Sequence, residues 1–93
     1  MANIKAGVLP AGSVAPVASL ASGIHQVEIL KIGENNEMVV EYPDGWTRDH
    51  QAKDNVELCA KITNNLRARY GIESVKFISA PEIGEGAVYE VEV

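Results

Sequence analysis

Apolar positions along this chain fall into two rhythms separated by turn residues. Residues 24–32 (IHQVEILKI) are rich in Ile and Val, with Val27 and Ile29 on one face, the signature of a strand. Gly33-Glu34-Asn35-Asn36 follows, and Gly and Asn tolerate the positive φ that tight turns demand. Residues 37–42 then supply a second strand and close a hairpin. Pro43-Asp44-Gly45 is a further turn, its proline presetting φ at the first corner. Beyond it the period changes. Ala52, Val56, Cys59, Ile62, Leu66 and Tyr70 step by three and four, which places them along one face of a helix. Asp54 with Glu57 three positions later reads as a capping box, with Thr47 or Asp49 as the start of an earlier turn. Gly71 suits a left-handed C-terminal cap, Arg67 and Arg69 lie near the negative end of the helix dipole, and Ile72 packs back on the last turn. Residues 75–79 form a third strand and 81–86 a turn-rich loop. Residues 87–93 alternate, with Ala87, Tyr89, Val91 and Val93 inward and Val88, Glu90 and Glu92 outward.

The order predicts an α+β domain. An extended N-terminal arm over 1–23 precedes ββαββ over 24–93, a mostly antiparallel four-stranded sheet with one helix on one face. The other face then shows Gln26, Glu28, Glu41, Lys76, Glu90 and Glu92, provided the register holds, since a slip of one residue exchanges the faces.

The arm changes the picture most. From Ala6 to Val27 there is no Asp, Glu, Lys or Arg, and Val8-Leu9-Pro10-Ala11-Gly12-Ser13 is loosely echoed by Val14-Ala15-Pro16-Val17-Ala18-Ser19. The two prolines fix φ and lack an amide donor, so extended or polyproline-like backbone is expected. Solvated tails are normally charged. This one presents Val8, Leu9, Val14, Val17 and Leu20 without ionic neighbours, and such a surface is expected to bury itself against a neighbouring subunit or its own domain.

Composition bounds the function. The 93 residues make one domain whose core is built from Val, Ile and Leu, since only 5% of the chain is aromatic. A core of this size is marginal and gains from partners or from copies of itself. The net charge of −5 argues against nucleic acid and against anionic membranes as partners. A single cysteine, Cys59, allows no internal disulfide and reads as a small buried hydrophobe rather than a nucleophile. Lys5 followed by an apolar stretch superficially suggests a signal peptide, but Pro10, Gly12, Pro16 and three serines interrupt it, so a cytoplasmic or virion location without signal cleavage is expected.

Candidate chemistry is sparse. His25 and His50 are far apart, and His50 with Asp49 and Asp54 lacks metal-ligand spacing. Glu90 and Glu92 fit a solvated strand face better than an acid–base pair, and the glycines form no phosphate loop. Arg48, Arg67 and Arg69 amount to a small basic patch at most. No catalytic, cofactor or metal residues are assigned. Trp46, just past the Pro-Asp-Gly turn, is the one large aromatic placed near a surface, where it anchors a partner or covers the end of the core.

The expected function is a non-enzymatic structural or assembly protein, part of an oligomer or larger complex such as a virion, as a capsid-decorating or connector component. Its arm lies along a neighbouring subunit through Val8, Leu9, Pro10, Val14, Pro16, Val17 and Leu20, with Trp46 as a further contact. The alternative is a small inhibitor or adaptor that binds one protein target through Trp46 or through the sheet face or edge.

Overall fold

Strand β1, Ile24–Ile32, carries Val27 and Ile29 on the side that becomes the core, and both are fully buried. A tight turn reverses the chain after it. Asn35 and Asn36 have φ of 57° and 62°, and the Glu37 amide donates to the Glu34 carbonyl at 3.0 Å. Two consecutive positive φ values make a type I′ turn, whose twist matches that of the strands it joins. Strand β2, Glu37–Glu41, returns antiparallel to β1, burying Met38 and Val40. The computed structural model describes residues 17–93 of the chain.

The Pro43-Asp44-Gly45 turn is a three-residue hairpin loop. The Gly45 amide donates to the Tyr42 carbonyl at 2.9 Å, the Tyr42 amide donates to the Trp46 carbonyl at 2.7 Å, and Gly45 takes φ 89°, which a side chain would strain. It leads into strand β3, Thr47–Gln51, paired antiparallel with β2 from Glu37↔Gln51 to Glu41↔Thr47. From the sequence pattern these residues read as the approach to the helix, and the expected strands number four. The described residues form five, in the order β1-β2-β3-α1-β4-β5. Thr-Arg-Asp-His-Gln has no apolar alternation to read because β3 is an edge strand. It is held by ladder hydrogen bonds on one side, and only His50 turns into the core.

Helix α1, Asn55–Tyr70, begins at Asp54, whose carboxylate accepts from the Glu57 amide at 2.9 Å. The Glu57 carboxylate accepts in turn from the Lys53 amide at 2.8 Å. Gly71 ends the helix with φ 69° and donates to the Arg67 carbonyl at 2.9 Å. Both caps match the sequence reading. Asp54→Ala is expected to destabilise the domain by about 1 kcal/mol, measured by urea unfolding, because an orphan amide loses its acceptor.

The buried face of α1 needs correction. Leu58, Ile62, Leu66 and Tyr70 line it at intervals of four, whereas Val56 is 82% exposed and Cys59 half-buried at the flank. The expected stripe shares Ile62, Leu66 and Tyr70 with the real one but enters from the wrong side. Val56 lies about 200° around the helix from Leu58, at 100° per residue, and so faces solvent.

Strands β4, Lys76–Ser79, and β5, Val88–Glu92, form the closing hairpin, and β5 pairs with β1 from Ile24↔Glu92 to Glu28↔Val88. The sheet is antiparallel throughout, in the order β3-β2-β1-β5-β4. Tyr89 and Val91 are buried, with Ala87 and Val93 half-buried beside them. Thus α1 carries the chain from one edge of the sheet to the other and covers one face. Bulges at Leu30 and Ile78 shift the register locally.

Candidate functional site

Two polar constellations grow from the β2–β3 hairpin. Inside, the Tyr42 hydroxyl and His50 Nε2 share a hydrogen bond of 2.7 Å; both residues are buried. Burial pushes the His50 imidazole below its ordinary pKa, helped by Arg48 and Lys61 and opposed by Asp49. Burial also holds the Tyr42 phenol above its usual range. A neutral ring and an intact hydroxyl satisfy each other, which makes the pair a structural one.

Outside, the turn meets the end of α1. Arg69 forms a two-pronged contact with Asp44, at 3.2 Å from Nε and 2.7 Å from Nη2. The Tyr70 hydroxyl donates to the same carboxylate and accepts from the Asp44 amide at 3.4 Å. The Arg69 and Tyr70 hydrogen bonds hold the Asp44 carboxyl well below the usual carboxylate range. Burial and the bond to Asp44 raise Tyr70 to about 12. Trp46 stands among these groups, with the Arg69 guanidinium 4.2 Å and that of Arg48 5.7 Å from its ring centroid and the Tyr42 ring centroid at 5.0 Å. Its partners within the chain therefore occupy much of the ring, and the half-buried Trp46 covers the end of the core. Of the three arginines read as a patch, Arg48 and Arg69 converge on Trp46, while Arg67 Nε donates to the Glu73 carbonyl at 3.1 Å.

The root of the arm lies against this constellation. The Val17 and Ala18 amides donate to the Arg69 carbonyl at 2.9 and 3.1 Å, and Ala18 and Leu20 pack on the core. Gly23 pairs with Val93. The Val17 side chain is 72% exposed. Among the residues assigned to partner contact, Val8, Leu9, Pro10, Val14 and Pro16 lie outside the described residues. Val17, Leu20 and Trp46 are gathered at one end of the domain.

Among the described residues, none forms a layer on the sheet face away from α1. The registers place Glu28, Glu37, Glu41, Asp49, Glu90 and Glu92 on it, against Lys31 and Lys76. Six carboxylates and two ammonium groups leave a net −4, nearly all of the chain's −5. Glu28 stands directly opposite Glu41, an unfavourable like-charge pair. Ile24, 58% exposed, and half-buried Val39 and Val88 lie between these charges. Two shallow grooves of about 470 and 410 Å³ run over this face, one lined by Gln26, Glu28 and Glu41, the other by Lys31, Val39 and Asp49. The outward stripe of α1 and its cap has the opposite character. Lys53, Val56, Ala60, Asn64 and Arg67 are all exposed, and Lys53 and Arg67 are the cations of this stripe.

Comparison with family models, with curated proteins and with solved structures finds no match. The site is thus read from its own geometry. Among the described residues no three His, Cys, Asp or Glu side chains converge as a metal site requires, and no helix is long and apolar enough to cross a membrane. Burial pushes the Cys59 thiol above its ordinary pKa, away from the thiolate a nucleophile needs.

Sequence reasoning missed the Tyr42–His50 pair and the Asp44–Arg69–Tyr70 cluster. The first depended on recognising β3, since only strand pairing brings residues eight apart onto one face. The second joins a turn to a helix end 25 residues later, and nothing local signals it.

Proposed function

We propose that the chain is a non-enzymatic assembly component, a small domain carrying an uncharged N-terminal segment that lies along a neighbouring subunit, as a capsid-decorating or connector protein of a virion does. One observation carries this reading. The uncharged segment is tied to the body at a fixed place, through Val17 and Ala18 on the Arg69 carbonyl and Leu20 on the core. Upstream of that anchor the sequence offers Val8, Leu9 and Val14 with no ionic group after Lys5. An anchored, proline-stiffened apolar segment loses less freedom on docking than a loose tail and gains by leaving water. Trp46, engaged by Arg69 and Tyr42, supports the rigidity of that anchor.

The anchor also sets where a truncation must be made. Removing residues 1–16 is expected to abolish association with the parent complex while leaving the unfolding midpoint unchanged. Native mass spectrometry of full-length and truncated protein from the natural source reads the first, and thermal melting the second. Removing 1–22 is expected in addition to destabilise the domain by about 1–3 kcal/mol, from the lost Leu20 burial and the two hydrogen bonds to Arg69. Undiminished association after loss of residues 1–16 overturns the reading.

A further inference from the structure

The sheet face away from α1 in one copy and the outer face of α1 in another are opposite in charge, and both carry apolar side chains among their polar ones. The sheet face is antiparallel, carries no covering layer among the described residues, and holds a net −4 with Ile24, Val39 and Val88 interspersed. A sheet with one solvated face is ordinary. A like-charged pair set directly across strands on that face is not, because Glu28 opposite Glu41 disfavours the isolated domain, and an incoming cation relieves it.

The α1 stripe provides such cations. Lys53 and Arg67 stand at its two ends and Val56 and Ala60 lie between them, all exposed. At 1.5 Å per residue Val56 and Arg67 are about 17 Å apart, and Lys53 lies beyond the cap, against a width of about 24 Å expected for five strands. The face they would cover measures roughly 300–700 Å², from strands of four to nine residues. That approaches the area of about 800 Å² per partner found in specific complexes. Val56 is the largest apolar side chain on the outside of α1, at 82% exposure, and its burial on the open sheet adds an apolar contribution to the electrostatic one.

We propose that copies of this chain stack head to tail, the outer face of α1 in one copy covering the acidic sheet face of the next, so that each sheet lies between two helices. The inference rests on the assembly reading and names the partner as a second copy. The contact joins two different surfaces, so it propagates into a ring or a filament rather than closing as a two-fold dimer. The arm is anchored on the Arg69 carbonyl at the end of α1, away from the charged positions of the sheet face that the variants change. Arm docking and stacking are therefore separable.

Charge-swap variants of the full chain test it by analytical ultracentrifugation at an ionic strength of about 0.05 M, where exposed charges are weakly screened. The sheet variant carries Glu28→Lys and Glu41→Lys; the helix variant carries Lys53→Glu and Arg67→Glu. Thermal melts check that each folds, and Val56→Asp provides a further disruption outside the charged positions. Wild type is expected to form oligomers whose association weakens about tenfold or more as salt is raised to about 0.5 M. Each variant alone is expected to be monomeric, and an equimolar mixture of the sheet and helix variants to regain the oligomers. A monomeric wild type, including one that is monomeric yet captures a foreign basic protein, overturns the proposal. So does a folded mixture that stays monomeric. Oligomers lost on removing residues 1–16 but retained in both charge variants overturn stacking and leave arm docking standing.

Discussion

Replacing Ile62 with Ala is expected to lower the stability of the domain by about 2–5 kcal/mol in urea unfolding, while Val56→Ala changes it by less than about 0.5 kcal/mol. Ile62 is fully buried at the middle of α1, in the same core cluster as Val27, Val40 and Tyr89. Truncation removes its transfer free energy and leaves a cavity that a helix clamped at both ends cannot collapse. A domain this small has a total stability near the lower end of the 5–15 kcal/mol range. The Ile62 variant is therefore expected to be partly unfolded at 37 °C. Val56, about 120° around the same helix and 82% exposed, has little packing among the described residues to lose. Comparable losses at both positions would show that the helix presents another face to the sheet, and the outward stripe of α1 would go with it.

The second large effect is expected at the buried Tyr42–His50 pair. Tyr42→Phe leaves the buried His50 Nε2 without its partner, at a cost of about 1–3 kcal/mol. The same geometry gives a pH dependence whose sign is fixed. The folded protein holds His50 below its ordinary pKa, first by burial and then through Arg48 and Lys61, whereas the unfolded chain takes up a proton near pH 6.5. Unfolding therefore binds a proton below that pH. The stabilisation is fully present above pH 6.5 and is lost as the pH falls toward the folded-state value, with a slope of at most about 1.4 kcal/mol per pH unit for one site. Urea unfolding between about pH 7.5 and 5.5 is expected to show this slope in a His25→Gln background and to lose it when His50→Gln is added. A slope that survives both changes would mean that another group is responsible.

Much of the candidate surface was legible because strand alternation assigns faces. Once β1, β2 and β5 were read, Gln26, Glu28, Glu41, Glu90 and Glu92 had to share the side away from Val27 and Val91, and the pairing Gln26↔Glu90 and Glu28↔Glu41 places them together. The rest was hidden for particular reasons. Asp49 joins that face only through β3, whose polar composition gives no strand signal. Lys53, Val56 and Arg67 form an outward stripe only when Leu58 rather than Cys59 continues the buried one, and apolar periodicity admits both choices. The cage around Trp46 needs Arg69 and Tyr70 at the end of α1 to meet a turn from the first half of the chain.

Local chemistry decided what the amino acids decide on their own: the turns at Asn35-Asn36 and Pro43-Asp44-Gly45, both caps of α1, the limits of β1, the α+β class and the uncharged stretch that precedes it. These depend on φ preferences, caps and side-chain period within a few residues. Tertiary structure alone decided that Thr47–Gln51 is a strand, that β5 lies beside β1 and β4 at the edge, which flank of α1 is buried, and that Val17 to Leu20 return to the end of the helix. Each of those depends on contacts between segments far apart in the chain, where the free energy of burying one surface against another, rather than any local preference, chooses among arrangements that the sequence pattern leaves equal.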